Sequence, residues 1–162
     1  PSIGIGLCLR AENLVEEATS LYLKFQSKLV SELNRIERDE GTLKELQNMI
    51  YFFVQERGIT GVLAGIVADY LYTGKIVVVV NTQERAEEGK VAETKISARC
   101  NKRLLAASKG LDLATAMEKA ARAVSGVGGG HPIAAGASIP KGSEELFLAA
   151  LDRIVGEQTG KS

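Results

Sequence analysis

The sequence has little of what hydrolytic chemistry is usually built from. In 162 residues there is one histidine, His131, two cysteines, Cys8 and Cys100, and four aspartates, Asp39, Asp69, Asp112 and Asp152. A metal centre needs several such ligands at short spacings, and none recur here, so the chain is expected to hold no metal of its own. A two-metal hydrolytic site, with its ions about 4 Å apart, is excluded on the same ground. No Ser-His-Asp or Cys-His arrangement stands at motif spacing. The cysteines lie far apart beside apolar residues, which reads as small buried hydrophobes in a reducing, cytoplasmic setting. Net charge is missing as well: 20 lysines and arginines balance 20 aspartates and glutamates. Attraction to a polyanion must therefore come from a local patch. The Val-rich run Lys75 to Val80 is far below membrane-spanning length, and the N-terminus lacks the order of a signal peptide, so no membrane partner is expected. The length fits one domain plus an appended element. The chain begins Pro-Ser-Ile-Gly-Ile-Gly without methionine and reads as a piece of a longer protein.

What is present is periodic. From Asn13 to about Arg38, Leu14, Ala18, Leu21, Tyr22, Phe25, Leu29, Leu33 and Ile36 recur every three or four positions with no Pro or Gly between them. This predicts one amphipathic helix, roughly 39 Å long at 1.5 Å per residue. Packing on a small domain does not need that length, so the helix is expected to connect to something further, its repeat being too irregular for a coiled coil. After Gly41 the pattern changes. Met49 to Gln55 reads as an apolar strand, Gly61 to Leu71 as a small-residue helix and Lys75 to Asn81 as a strand buried on both faces, together a βαβ unit. Residues 83–90 are charged and read as a surface loop. A strand from Val91 to Cys100, a helix from an Asp112 cap to about residue 125, a strand from Ala134 to Ile139 and a last helix from a Ser143 cap to about Val155 follow. The expected fold is α/β: a mixed sheet with flanking helices, preceded by a long connecting helix, with units at residues 1–40 and 41–162.

Chemistry concentrates in two places. Gly128-Gly129-Gly130 precedes His131, and Ala134-Ala135-Gly136 follows it. Successive glycines allow backbone N–H groups to converge into an anion-binding nest, here beside an accessible imidazole able to act as a general acid or as a donor to an anion. The glycines precede a strand and follow a helix, the reverse of a dinucleotide fingerprint, and the Lys-Ser/Thr of a P-loop is absent. In strand 91–100, Glu93, Lys95, Ser97 and Arg99 alternate with Ala92, Thr94, Ile96, Ala98 and Cys100. Lys95, Ser97 and Arg99 stand about 7 Å apart along one face and can address one phosphate or neighbouring phosphates of an extended strand. Lys102 and Arg103 add to this positive patch.

These residues carry a resemblance. Gly129-Gly130-His131 with Ala134-Ala135-Gly136 resembles the GGH-x-x-AAG signature of the DHH-associated domain of DHH-superfamily phosphoesterases. Gly61 to Ala68 is similar to a helix start of that domain in RecJ-type nucleases, and Ser97-Ala98-Arg99 matches their S-x-R motif. Gly6-Leu7-Cys8-Leu9-Arg10 and the helix ending Glu32 to Arg38 look like the end of a catalytic domain and its connecting helix. The resemblance spans nearly the whole chain. It departs from the pattern at Ile96, where a glycine often precedes the serine, and at Cys100, where a small hydroxyl residue often follows the arginine.

The resemblance implies a substrate-binding domain that closes over a separate N-terminal DHH domain carrying manganese or magnesium, with a phosphodiester held between them. By position, Ser97, Arg99, Gly129, Gly130 and His131 would contact the substrate, with Arg10 a further candidate, and His131 would orient or protonate the scissile phosphate; Lys95 and Gly128 join them as phosphate-binding candidates from the strand alternation and the glycine run. The implied activity of the intact protein is single-strand-specific exonuclease cleavage of DNA or RNA in replication or repair, the present chain being inactive alone. Two alternatives are a phosphodiesterase for dinucleotides or short oligonucleotides, and a non-catalytic scaffold in a replication complex such as GINS.

Overall fold

The helical periodicity at the start of the chain forms α1 (Glu12–Arg38), 27 residues long. The computed structural model describes residues 12–39, 41–56, 58–82 and 92–160; Arg10, Cys8 and the expected loop at 83–90 lie outside the described residues. Along α1, Ile36 is buried and Leu14, Ala18, Phe25, Leu29 and Leu33 are half-buried. Leu21 and Tyr22, which the periodicity places in the same stripe, are exposed, as are Val15, Leu23 and Val30. The chain divides into two compact units, residues 1–38 and residues 39–162. Among the described residues no helix is long and apolar enough to cross a membrane.

The second unit is built on a six-stranded sheet. In chain order it comprises β1 (Lys44–Glu45), β2 (Met49–Val54), α2 (Thr60–Ile66) continued by a π-helical turn (Val67–Leu71), β3 (Ile76–Asn81), β4 (Glu93–Arg99), α3 (Lys102–Ala107), α4 (Leu113–Ala123), β5 (Val127–His131), β6 (Ala134–Pro140) and α5 (Glu144–Thr159). The spatial order is β1-β2-β3-β4-β6-β5. β2 and β3 run parallel, and all other neighbours are antiparallel. The parallel pair requires a crossover, supplied by α2 and its π-turn, so the βαβ unit and the mixed sheet stand as the sequence predicts. Every residue of β3 is buried, as expected of a strand with covered faces.

One face of the sheet carries the main core. Ile96, Ala98 and Ile139 pack there with Met117 and Ala120 of α4 and with Phe147 and Leu151 of α5. On the other face α2 lies over β3 and β4, its Leu63 and Ala64 buried together with Val67 of the π-turn. Small residues set the spacing. A Cβ on Gly128 would lie 2.5 Å from the Met117 carbonyl oxygen, so β5 approaches α4 more closely than any side chain permits.

Local chemistry fixes the helix starts. Asp112 caps α4, its carboxylate accepting from the amides of Ala114 at 2.9 Å and Thr115 at 3.4 Å and from the Thr115 hydroxyl at 2.7 Å. The Thr115 hydroxyl, ahead of these amides, lowers the Asp112 pKa below the ordinary carboxylate value. Asn101 caps α3 in the same way, a short helix that the sequence pattern does not predict. Ser143 stands at the N-cap of α5 as expected but makes no side-chain capping bond; instead the Thr94 hydroxyl donates to Glu144.

Replacing Asp112 with Ala is expected to lower stability by about 1 kcal/mol at neutral pH. Because the folded carboxyl titrates below its unfolded value, this contribution is complete above the unfolded pKa and is lost as pH falls through the folded one. Denaturant titrations of both proteins at neutral pH and at about pH 3 should show the difference shrinking in acid. Gly128→Val is expected to cost more than about 2 kcal/mol, since the Met117 carbonyl is backbone and cannot swing away.

Candidate functional site

β4 separates two environments by simple alternation. Thr94, Ile96 and Ala98 are buried, while Glu93 and Lys95 are exposed and Ser97 and Arg99 are half-buried on the opposite face. Strand register carries that face outward. Ser97 pairs with Gly136, which pairs with Gly129; Arg99 pairs with Ala134, which pairs with His131; Lys95 pairs with Ser138, which pairs with Val127. Paired residues of antiparallel strands point to the same side. The face beyond α2 therefore consists of Ala134, Gly136 and Gly129 as floor, with Arg99 and Ser97 on one side and His131 on the other. Val127, at its rim, is 77% exposed. Two strand spacings, about 10 Å between backbones, separate Arg99 from His131, with only the Ala134 methyl between them.

The guanidinium of Arg99 is held in place without being neutralised. Its Nη1 donates to the carbonyls of Ala98 at 2.8 Å and Ala135 at 3.2 Å. Gly61 of α2 makes room beside it: a Cβ there would lie 3.0 Å from Nη2 and 3.8 Å from the Ser97 hydroxyl. Among the described residues no carboxylate pairs with Arg99, and no hydrogen bond occupies the Ser97 hydroxyl or the His131 ring. Burial lowers the Arg99 pKa from its ordinary value, although a guanidinium remains charged. A half-buried cation stripped of part of its water and lacking a counter-ion favours an incoming anion.

Lys95 does not join this group. It pairs with Glu93 at 2.9 Å and donates to the Ser138 hydroxyl at 2.7 Å, while Ser138 donates to the same Glu93 carboxylate. Its charge is engaged locally, in an exposed ion pair of small energetic weight. Arg10 lies outside the described residues.

The glycine run needs correction. Gly128, Gly129 and Gly130 form no concave nest; they lie within β5, which among the described residues is an edge strand paired only with β6. Along a strand successive N–H groups point in opposite directions, so three of them cannot converge on one anion. What the glycines permit is close approach. Gly128 lies against α4, and a Cβ on Gly130 would meet the Ala134 oxygen and Ala135 Cα at 2.6 Å. Gly129 alone of the three has open space where a side chain would be, and it forms part of the floor. The hairpin tip is fixed from both sides, since the Cys100 amide donates to the Ile133 carbonyl and the Leu113 amide to the Pro132 carbonyl, each at 3.1 Å.

Ala134, Gly136 and Gly61 join the site only once the register is known. For Ala134 and Gly136 the signal in the sequence is the unbroken run of tiny residues from Ala134 to Ser138, which thins both faces of β6; for Gly61 it is the glycine inside a helical stretch. Cys100 is not a nucleophile here: burial first, then the Asp69 carboxylate, push its thiol up to about 11.

No three histidine, cysteine or carboxylate side chains converge among the described residues in a way that could hold a metal ion. The resemblance assigns manganese or magnesium to a separate N-terminal domain; on this face His131 stands without carboxylate companions among the described residues.

Comparisons with known proteins place this geometry. The chain is 34% identical over 157 residues to uncharacterized protein MJ0831 of Methanocaldococcus jannaschii, a match covering 97% of this chain and 32% of that protein. The chain thus spans about a third of its relative's length. RecJ from Thermus thermophilus, solved with Mg²⁺, superposes with a TM-score of 0.64 at 18% identity, over 91% of this chain and 20% of RecJ. The pGpG-specific phosphodiesterase PggH of Vibrio cholerae superposes with a TM-score of 0.51 at 17% identity, over 89% of this chain and 43% of that one. At these identities the two likenesses show a shared fold. The DHHA1 domain profile matches residues 46–157, and the chain belongs to the DHHA1 domain family.

Proposed function

We propose that this domain is the substrate-binding part of a metal-dependent phosphodiesterase acting on single-stranded nucleic acid. The observation that carries the reading is Arg99: a half-buried guanidinium with no carboxylate partner among the described residues, beside a free serine hydroxyl and a floor of glycine and alanine. Arg99 and the Ser97 hydroxyl donate to non-bridging phosphate oxygens. Ala134, Gly136 and Gly129 let the phosphate settle against the sheet, where its hydrogen bonds are less diluted by water. His131, across the floor, donates to the same phosphate or to its neighbour, and protonates a leaving oxygen when its ring is charged.

Cleavage itself belongs to a DHH domain elsewhere in the longer protein, which supplies the manganese or magnesium; no step on this face is routed through that metal. The RecJ and PggH similarities support a phosphodiester as the ligand class. A flat row of phosphate contacts that reads no base suits a single strand of any sequence.

In the full-length protein, Arg99→Ala is expected to weaken single-strand binding by a similar factor for every sequence and to reduce the salt slope, in log–log form, by about 0.7. Fluorescence anisotropy at several salt concentrations measures both. His131→Ala is expected to lower kcat by about 10²-fold while KM changes little. An Arg99→Ala protein with unaltered affinity and salt slope would remove the basis for the assignment. Turnover on dinucleotides compared with long single strands separates a short-oligonucleotide phosphodiesterase from an exonuclease, and absence of turnover with manganese would favour a scaffold.

A further inference from the structure

At the C-terminal end of β4, Arg99 also borders a cleft of about 430 Å³. Gly65 and Asp69, from α2 and its π-turn, line one part of it; Lys102 and Arg103 line another, and Ala134 belongs to the hairpin. Small-ligand sites begin at roughly 300 Å³, so the space suits a group of nucleoside size. Lys102 and Arg103 have no carboxylate partner among the described residues, and Asp69 has neither an ion pair nor a hydrogen bond there.

Gly65 is the second observation. Glycine is the poorest helix former after proline, yet no packing requires it here: a Cβ on Gly65 would meet no atom within 4 Å. At Gly61, one turn earlier, a Cβ would stand 3.0 Å from Arg99 Nη2, so there the small residue does have a neighbour to accommodate. The side chain missing at position 65 leaves the cleft open.

We infer that this cleft receives the nucleoside attached to the phosphate at Arg99, making Arg99 the hinge between a phosphate face and a one-nucleotide subsite. The inference rests on the phosphodiester reading of Arg99 and adds to it a place for the sugar and base. The short walls at Gly65 and Ala134 accept a flat base. Asp69 is an acceptor for a sugar hydroxyl or an exocyclic amine. Lys102 and Arg103 lie where a further phosphate of the same chain would need cations.

The test is calorimetric titration of the full-length protein with adenosine monophosphate and, separately, with inorganic phosphate. The unaltered protein should bind the nucleotide at least 10-fold more tightly than phosphate. Gly65→Leu, which adds a good helix former pointing into open space, should keep or raise Tm, leave phosphate binding within twofold, and abolish the nucleotide's advantage. Should that variant fail to fold, Asp69→Ala, which removes the acceptor offered to the sugar or base, is expected to cut the advantage at least threefold. Equal binding of nucleotide and phosphate by the unaltered protein, or an advantage that survives in a folded variant, overturns the subsite while leaving the phosphate reading intact. Phosphate binding that is absent, or unaffected by Arg99→Ala, overturns the phosphate reading itself.

Discussion

The site depends on how closely the β5–β6 hairpin lies against α4. The carbonyl of Met117 occupies the position where any side chain at residue 128 would begin, and two amides, from Cys100 and Leu113, tie down the turn carbonyls at Ile133 and Pro132. The hairpin is thereby anchored at once to the residue that follows β4 and to the first turn of α4. Register then does the rest. With Arg99 opposite Ala134 and Ala134 opposite His131, a cation and an imidazole stand in one row, and their spacing follows from strand geometry alone.

Two cations on the same face of β4 have opposite fates, and burial separates them. Lys95 and Glu93 are 65% and 53% exposed in their side chains, so their attraction is screened by water and each remains well hydrated. Arg99 is partly desolvated and held by backbone carbonyls alone. Carbonyl dipoles orient a guanidinium but leave its charge uncompensated. That is the electrostatic condition for favouring an anion on a chain whose own formal net charge is zero, where a local, partly desolvated cation has to supply the attraction.

Much of this is legible in the sequence because it rests on periodicity. The 3.6-residue repeat of α1, the two-residue alternation of β4 and the unbroken apolar run of β3 are direct imprints of which faces are covered. Alternation alone assigns Ser97 and Arg99 to one face. The glycine run misleads for an equally physical reason: glycine carries no side-chain pattern, so a strand made of it looks like a loop. α3 escapes prediction because six residues are too few to show a period, although Asn101 before it is an ordinary capping signal. The π-turn after α2 leaves no mark, as an inserted residue changes a helix without changing its composition. For Lys95 the sequence supplies the face but not the local partners, because neighbours across strands, here Ser138, emerge only once register is known.

The edge at β5 has a consequence of its own. An outer strand with unpaired amides invites another strand to add to it, and proteins usually guard such edges with charge or proline. β5, made of Val127, three glycines and His131, carries neither, and the φ of 146° at Gly130 ties that position to glycine. The strand that thins the floor for a ligand is therefore also one that tolerates few replacements.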